Sequence, residues 1–122
     1  MRKIATITTA LMLMLALSTG AAFASQAIDY GTSAGEVIKG TAEANVIHGL
    51  GGDDAIHGMG GNDVLHGDGG HDGLYGGPGN DTLHSTGDGG ADYVDCGAGI
   101  DTVKKGSGQS LDRFVGCERL VN

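Results

Sequence analysis

The chain has no tryptophan, one proline, 4% aromatic residues and only seven basic residues among 122. So little aromatic bulk argues against an ordinary globular core, and a chain this short leaves no room for an enzyme-sized cleft. Fifteen acidic residues set the formal net charge at −8. That balance excludes a nucleic-acid partner and favours a cation. The only long apolar run, Ile4 to Leu17, follows Arg2 and Lys3 and precedes Ala22-Phe23-Ala24. Basic start, apolar run and small-residue close predict a secretory signal peptide over 1–24, cut after Ala24. The competing reading is an uncleaved anchor, but the run falls short of the roughly 20 residues of a spanning helix. Cleavage predicts a secreted chain with no stable membrane insertion. It removes two of the seven basic residues and none of the acidic ones.

What the chain has in abundance is glycine, 25 residues of it, much of it in register. Cut every nine residues, 49–84 reads GLGGDDAIH, GMGGNDVLH, GDGGHDGLY, GGPGNDTLH. Position 1 is Gly49, Gly58, Gly67 and Gly76, and position 4 is Gly52, Gly61, Gly70 and Gly79. Position 6 is Asp54, Asp63, Asp72 and Asp81, and position 8 is Ile56, Leu65, Leu74 and Leu83. Position 2 is glycine only at Gly77, with Leu50, Met59 and Asp68 in the other units. The pattern resembles the RTX nonapeptide G-G-x-G-x-D-x-U-x of calcium-binding parallel β-rolls.

The register extends backwards through GTSAGEVIK and GTAEANVIH, with Glu36 and Asn45 at position 6. Forwards it slips by Ser85 and Thr86, expected to widen a turn, and resumes as GDGGADYVD and CGAGIDTVK with Asp92 and Asp101 at position 6. The expected fold is all-β. It is a right-handed parallel β-roll of about four coils of about 18 residues over 31–104, preceded by a lead-in over 25–30 that is mobile or covers the first coil. The tail, 105–122, carries Leu111, Phe114, Val115, Leu120 and Val121 and is expected to cap the stack.

Residues one coil apart stack at about 4.8 Å. One edge then carries Asp54, Asp72 and Asp92 and the other Asp63, Asp81 and Asp101. Paired carboxylates with turn carbonyls offer the all-oxygen set that calcium takes, whereas zinc recruits His or Cys. The resemblance implies calcium shared between successive turns of one edge. That points to Asp54 with Asp72, Asp63 with Asp81, Asp72 with Asp92 and Asp81 with Asp101, and then to Glu36 with Asp54 and Asn45 with Asp63. Stacked carboxylates repel until a cation separates them, so calcium is expected to act as a folding cofactor.

His48, His57, His66 and His84 occupy position 9, with Tyr75 in the remaining slot. The same rule stacks His48, His66 and His84 in one ladder and His57 on Tyr75, with alternation turning the rings to solvent. The ladder is either a polar surface without a specific task or a secondary site for zinc, copper or nickel. Cys96 and Cys117, the only cysteines of a chain read as exported, read as a disulfide tying the tail to the last repeat, with two free thiols as the alternative. Gly31-Thr32-Ser33-Ala34-Gly35 spells a nucleophile elbow but is a degenerate repeat turn, and no enzyme is expected. Beside the secreted calcium-binding reading stand an extracellular adhesion or matrix module and a transition-metal buffer built on the histidine ladder. A protein or glycan partner is not legible.

Overall fold

A computed structural model describes residues 4–6, 27–86, 90–106 and 111–122. Each nonapeptide makes a glycine turn and then a strand of three or four residues, and alternate strands fall in two six-stranded sheets. One sheet holds, in spatial order, β1 (Ile4–Thr6), β3 (Val37–Lys39), β5 (Ala55–His57), β7 (Gly73–Tyr75), β9 (Tyr93–Asp95) and β11 (Arg113–Val115). The other holds β12 (Arg119–Val121), β10 (Thr102–Lys105), β8 (Thr82–Ser85), β6 (Val64–His66), β4 (Asn45–His48) and β2 (Ala27–Tyr30). All pairings are parallel. The result is an all-β solenoid of about five turns.

The strands are short because only positions 7 to 9 of each unit are free of turn duty. Position 8 points inward and its side chain is fully buried. Ile38, Ile56, Leu74 and Val94 line one sheet, and Ile47, Leu65, Leu83 and Val103 the other. With Cys96 they form the apolar core, and each aliphatic residue lies in register with its counterpart one coil away. Such burial contributes roughly 1.5 to 3 kcal/mol per side chain.

Partners lie 18 residues apart through the central coils, as in Ile56↔Leu74, and 20 apart beyond, as in Leu74↔Val94 and Leu83↔Val103. The two-residue slip is therefore absorbed without breaking either sheet. It is not confined to a turn, because Ser85 belongs to β8 and pairs with Lys105; residues 87–89 lie outside the described residues.

The sequence suggested about four coils, and the stack is longer because chain outside the repeats joins it. The tail supplies β11, with Phe114 opposite Val94, and β12, with Leu120 opposite Val103. The lead-in supplies β2, which places Asp29 opposite Ile47 and so ends that apolar column with a polar residue. Residues Ile4–Thr6 of the expected signal peptide pair as β1 with β3, and residues 7–24 lie outside the described residues. Cys96 and Cys117 are joined in a disulfide, with Cα atoms 5.2 Å apart.

Candidate metal centres

The position-6 side chains turn inward at the bends, where they are nearly inaccessible: Asp63 and Asp81 are 1% exposed and Asp54 and Asp72 are 3%. Each lends Oδ1 to the coil before it. The backbone N–H of Asp54 donates to Asp72 Oδ1 at 2.9 Å, and that of Asp63 to Asp81 Oδ1 at 2.8 Å. The same bond runs from Glu36 N–H to Asp54, Asn45 N–H to Asp63, Asp72 N–H to Asp92, and Asp81 N–H to Asp101. The structure thus brings together every pair that the 18-residue rule selected and carries both columns across the slip.

The columns also reach two acids that sequence reasoning missed. Asp92 N–H donates to Asp112 Oδ1 at 2.9 Å, and Asp101 N–H to Glu118 Oε2 at 2.8 Å. Their separations, 20 and 17 residues, depart from the glycine register. The available signal was two acidic residues each followed by an arginine and an apolar pair, Asp112-Arg113-Phe114-Val115 and Glu118-Arg119-Leu120-Val121, in a tail already read as a cap.

Oδ2 is the chemically active atom of the set. In Asp54, Asp63, Asp72, Asp81, Asp101 and Asp112 it is buried with no hydrogen-bond partner. A buried carboxylate oxygen without a partner is costly, and a cation removes that cost. Position-1 glycines leave the space around it. A Cβ on Gly49 would lie 2.6 Å from Asp54 Oδ2 and 2.8 Å from the Gly67 carbonyl, and one on Gly58 would lie 2.5 Å from Asp63 Oδ2 and 2.8 Å from the Gly76 carbonyl. Carboxylate and carbonyl oxygens therefore face one cradle, a donor set that suits a hard cation.

Burial is the main reason that these carboxyls bind a proton more tightly than a free aspartate, with neighbouring carboxylates adding to it. Asp63 and Asp72 are pushed up to about 7 and Asp54 and Asp81 to about 6, while Asp101 is also raised. Backbone N–H donation opposes the shift in every case.

Against these observations stands the family comparison. The RTX calcium-binding nonapeptide repeat, in four copies, matches residues 30–65, 51–83 and 86–103, more than half of the chain. The chain belongs to this family. RTX nonapeptide repeats bind calcium, and the orphaned carboxylate oxygens of this RTX protein fit that ion. No curated protein and no solved structure matched the chain.

Other features of this RTX chain come from its turns. Position 2 keeps the left-handed backbone that the family's glycine provides, even without glycine: φ is 72° at Leu50, 77° at Met59 and 63° at Asp68, against 85° at Gly77. The position-2 mismatch in the sequence is thus one of residue type and not of backbone shape. Position 5 builds a second set of bonds in the opposite direction. His71 N–H donates to Asp53 Oδ1, Asn80 N–H to Asn62 Oδ1 and Ile100 N–H to Asn80 Oδ1.

The histidines stack as the register requires. Ring centroids are 4.2 Å apart for His48–His66, 4.1 Å for His66–His84 and 4.6 Å for His57–Tyr75. They are half-buried and not fully turned to solvent, because each ring covers the face of the next.

Proposed function

We propose that the chain is exported through its N-terminal 24 residues and that calcium, held between successive turns of each edge, is its folding cofactor. The ligands are Asp54 with Asp72 and Asp63 with Asp81, extended by Asp92 and Asp101 and closed in the tail by Asp112 and Glu118. The single observation that carries this reading is the run of buried Oδ2 atoms without partners, repeated at six aspartates. Each is oriented by an N–H bond through its other oxygen, and at Asp54, Asp63 and Asp81 the next coil brings a turn carbonyl close.

RTX repeat proteins are typically secreted, and among the described residues no helix is long and apolar enough to cross a membrane. The disulfide supports the same destination, since such bonds persist in oxidising compartments. The ligand set comes together only in the fold, so calcium binding and folding share one free energy. The role is structural: a rigid, acidic stack filled by calcium.

Circular dichroism of the chain from residue 25, first in EDTA and then with millimolar calcium, tests the reading. Strand content should rise cooperatively with calcium. A spectrum unchanged by the ion would remove its role as a folding cofactor.

A further inference from the structure

One turn on the histidine edge differs from its neighbours. Asp68 occupies the left-handed position 2 with φ 63°, where Leu50, Met59 and Gly77 stand in the other units. Its Oδ2 lies 3.4 Å from His48 Nδ1 and accepts the Leu50 N–H at 3.3 Å. His66, two residues before it on β6, lies nearly parallel to His48, with 7° between the ring planes. One donor atom from each of His48, His66 and Asp68 falls within 4.8 Å of the others.

We propose that His48, His66 and Asp68 form a second metal site, separate from the carboxylate columns, that takes a borderline divalent transition metal such as zinc. Two imidazole nitrogens and one carboxylate oxygen make a set that zinc, copper or nickel prefers to an all-oxygen cage. Calcium prefers the all-oxygen columns, so ligand type divides the two ions between two places on one fold. Bonds of about 2.0 to 2.2 Å to one zinc bring the donors closer than they now stand, so the rings must rotate out of parallel to converge. All three residues are half-buried at the surface, where such rotation needs no change in either sheet.

His66 is already neutral and able to coordinate: burial, followed by His84 and His48, pushes it down to about 4. Water or His84, stacked on His66, is available for a fourth position. The opposite sheet supplies an internal control. His57 stacks on Tyr75 there, and position 2 of the unit that follows it is Met59 and not an aspartate.

The inference does not depend on the calcium reading, since it needs only the stacked ladder and Asp68. Zinc is titrated by calorimetry into the calcium-loaded chain, with calcium in excess. One zinc should bind per chain, and His57→Ala should leave the affinity unchanged. Removing an outer-sphere partner already costs about 10- to 100-fold, so His66→Ala and Asp68→Asn should each weaken binding by at least about tenfold. Asp68→Asn preserves shape, so its loss cannot be assigned to misfolding. The imidazole resonances of His48 and His66, and not of His57, should move with zinc. No saturable heat, displacement of zinc by calcium, equal affinities for Asp68→Asn and the parent, or an equal loss in His57→Ala would each overturn the site.

Discussion

The first coil and the central coils share one backbone and fill the same cavity differently. In the first coil, position 2 is threonine and position 6 is Glu36 or Asn45. Thr32 donates its N–H and its hydroxyl to Glu36 at 3.0 and 2.6 Å, and the Thr41 N–H donates to Asn45 Oδ1 at 2.7 Å while the Asn45 amide donates to the Thr41 hydroxyl at 3.1 Å. In the central coils, position 2 is Leu50, Met59, Asp68 or Gly77, and the aspartate Oδ2 atoms have no partner. At one end the polar side chains satisfy one another, and in the middle the carboxylate Oδ2 atoms stay without a protein partner. The aspartate's absence from the early repeats is therefore a paired exchange, with a threonine hydroxyl present where the unpartnered carboxylate oxygen is not.

The largest effect on this contrast should come from pH. A carboxyl raised to about 6 or 7 must lose its proton before it can take calcium, so affinity should rise between pH 5 and 7.5. The expected tightening is more than about tenfold, read by calcium calorimetry. In the ion-free protein these aspartates stabilise the fold below about pH 4 and lose that contribution as pH rises through 6 to 7. His57, His66 and His84, all lowered chiefly by burial, act in the opposite sense and destabilise the fold as pH falls below their ordinary value. Calcium affinity, not the stability of the chelated protein, should therefore carry the steep profile. A flat affinity across this range would count against buried carboxyls as ligands.

Next in size, Asp72→Ala removes both the acceptor for Asp54 N–H and a carboxylate of its column. It should cost about 2 to 3 kcal/mol in the calcium-loaded state and lower the calcium stoichiometry, read by urea unfolding and calorimetry. The smallest effect belongs to the first coil. Thr41→Val should cost about 1 kcal/mol and leave the calcium count unchanged, whereas Thr41→Gly combined with Asn45→Asp should add a calcium. A calcium count altered by Thr41→Val would erase the distinction between the two regions.

Much of this was legible because a fixed period converts sequence spacing directly into contact. The two aspartate columns, the aliphatic core and both ring stacks follow from stacking residue i on residue i+18, or on i+20 across the two-residue slip. Features that break the period were hidden. Asp112 and Glu118 join at separations of 20 and 17, and β2 comes from a segment with no glycine register. Hydrogen-bond exchanges were hidden too. Thr32 and Thr41 look like ordinary turn residues until their hydroxyls are seen against Glu36 and Asn45. Leu50 and Met59 look like departures from the repeat, although the stack imposes the left-handed bend on them.

The position-6 bonds make each bend depend on the coil that follows it. Each N–H donor belongs to an earlier coil and its carboxylate acceptor to a later one, from Glu36 and Asp54 through to Asp101 and Glu118. The last repeats therefore take their final acceptors, Asp112 and Glu118, from the tail. Residues 111–122 thus close both columns, and without them the N–H groups of Asp92 and Asp101 would lose the acceptors that hold the last bends.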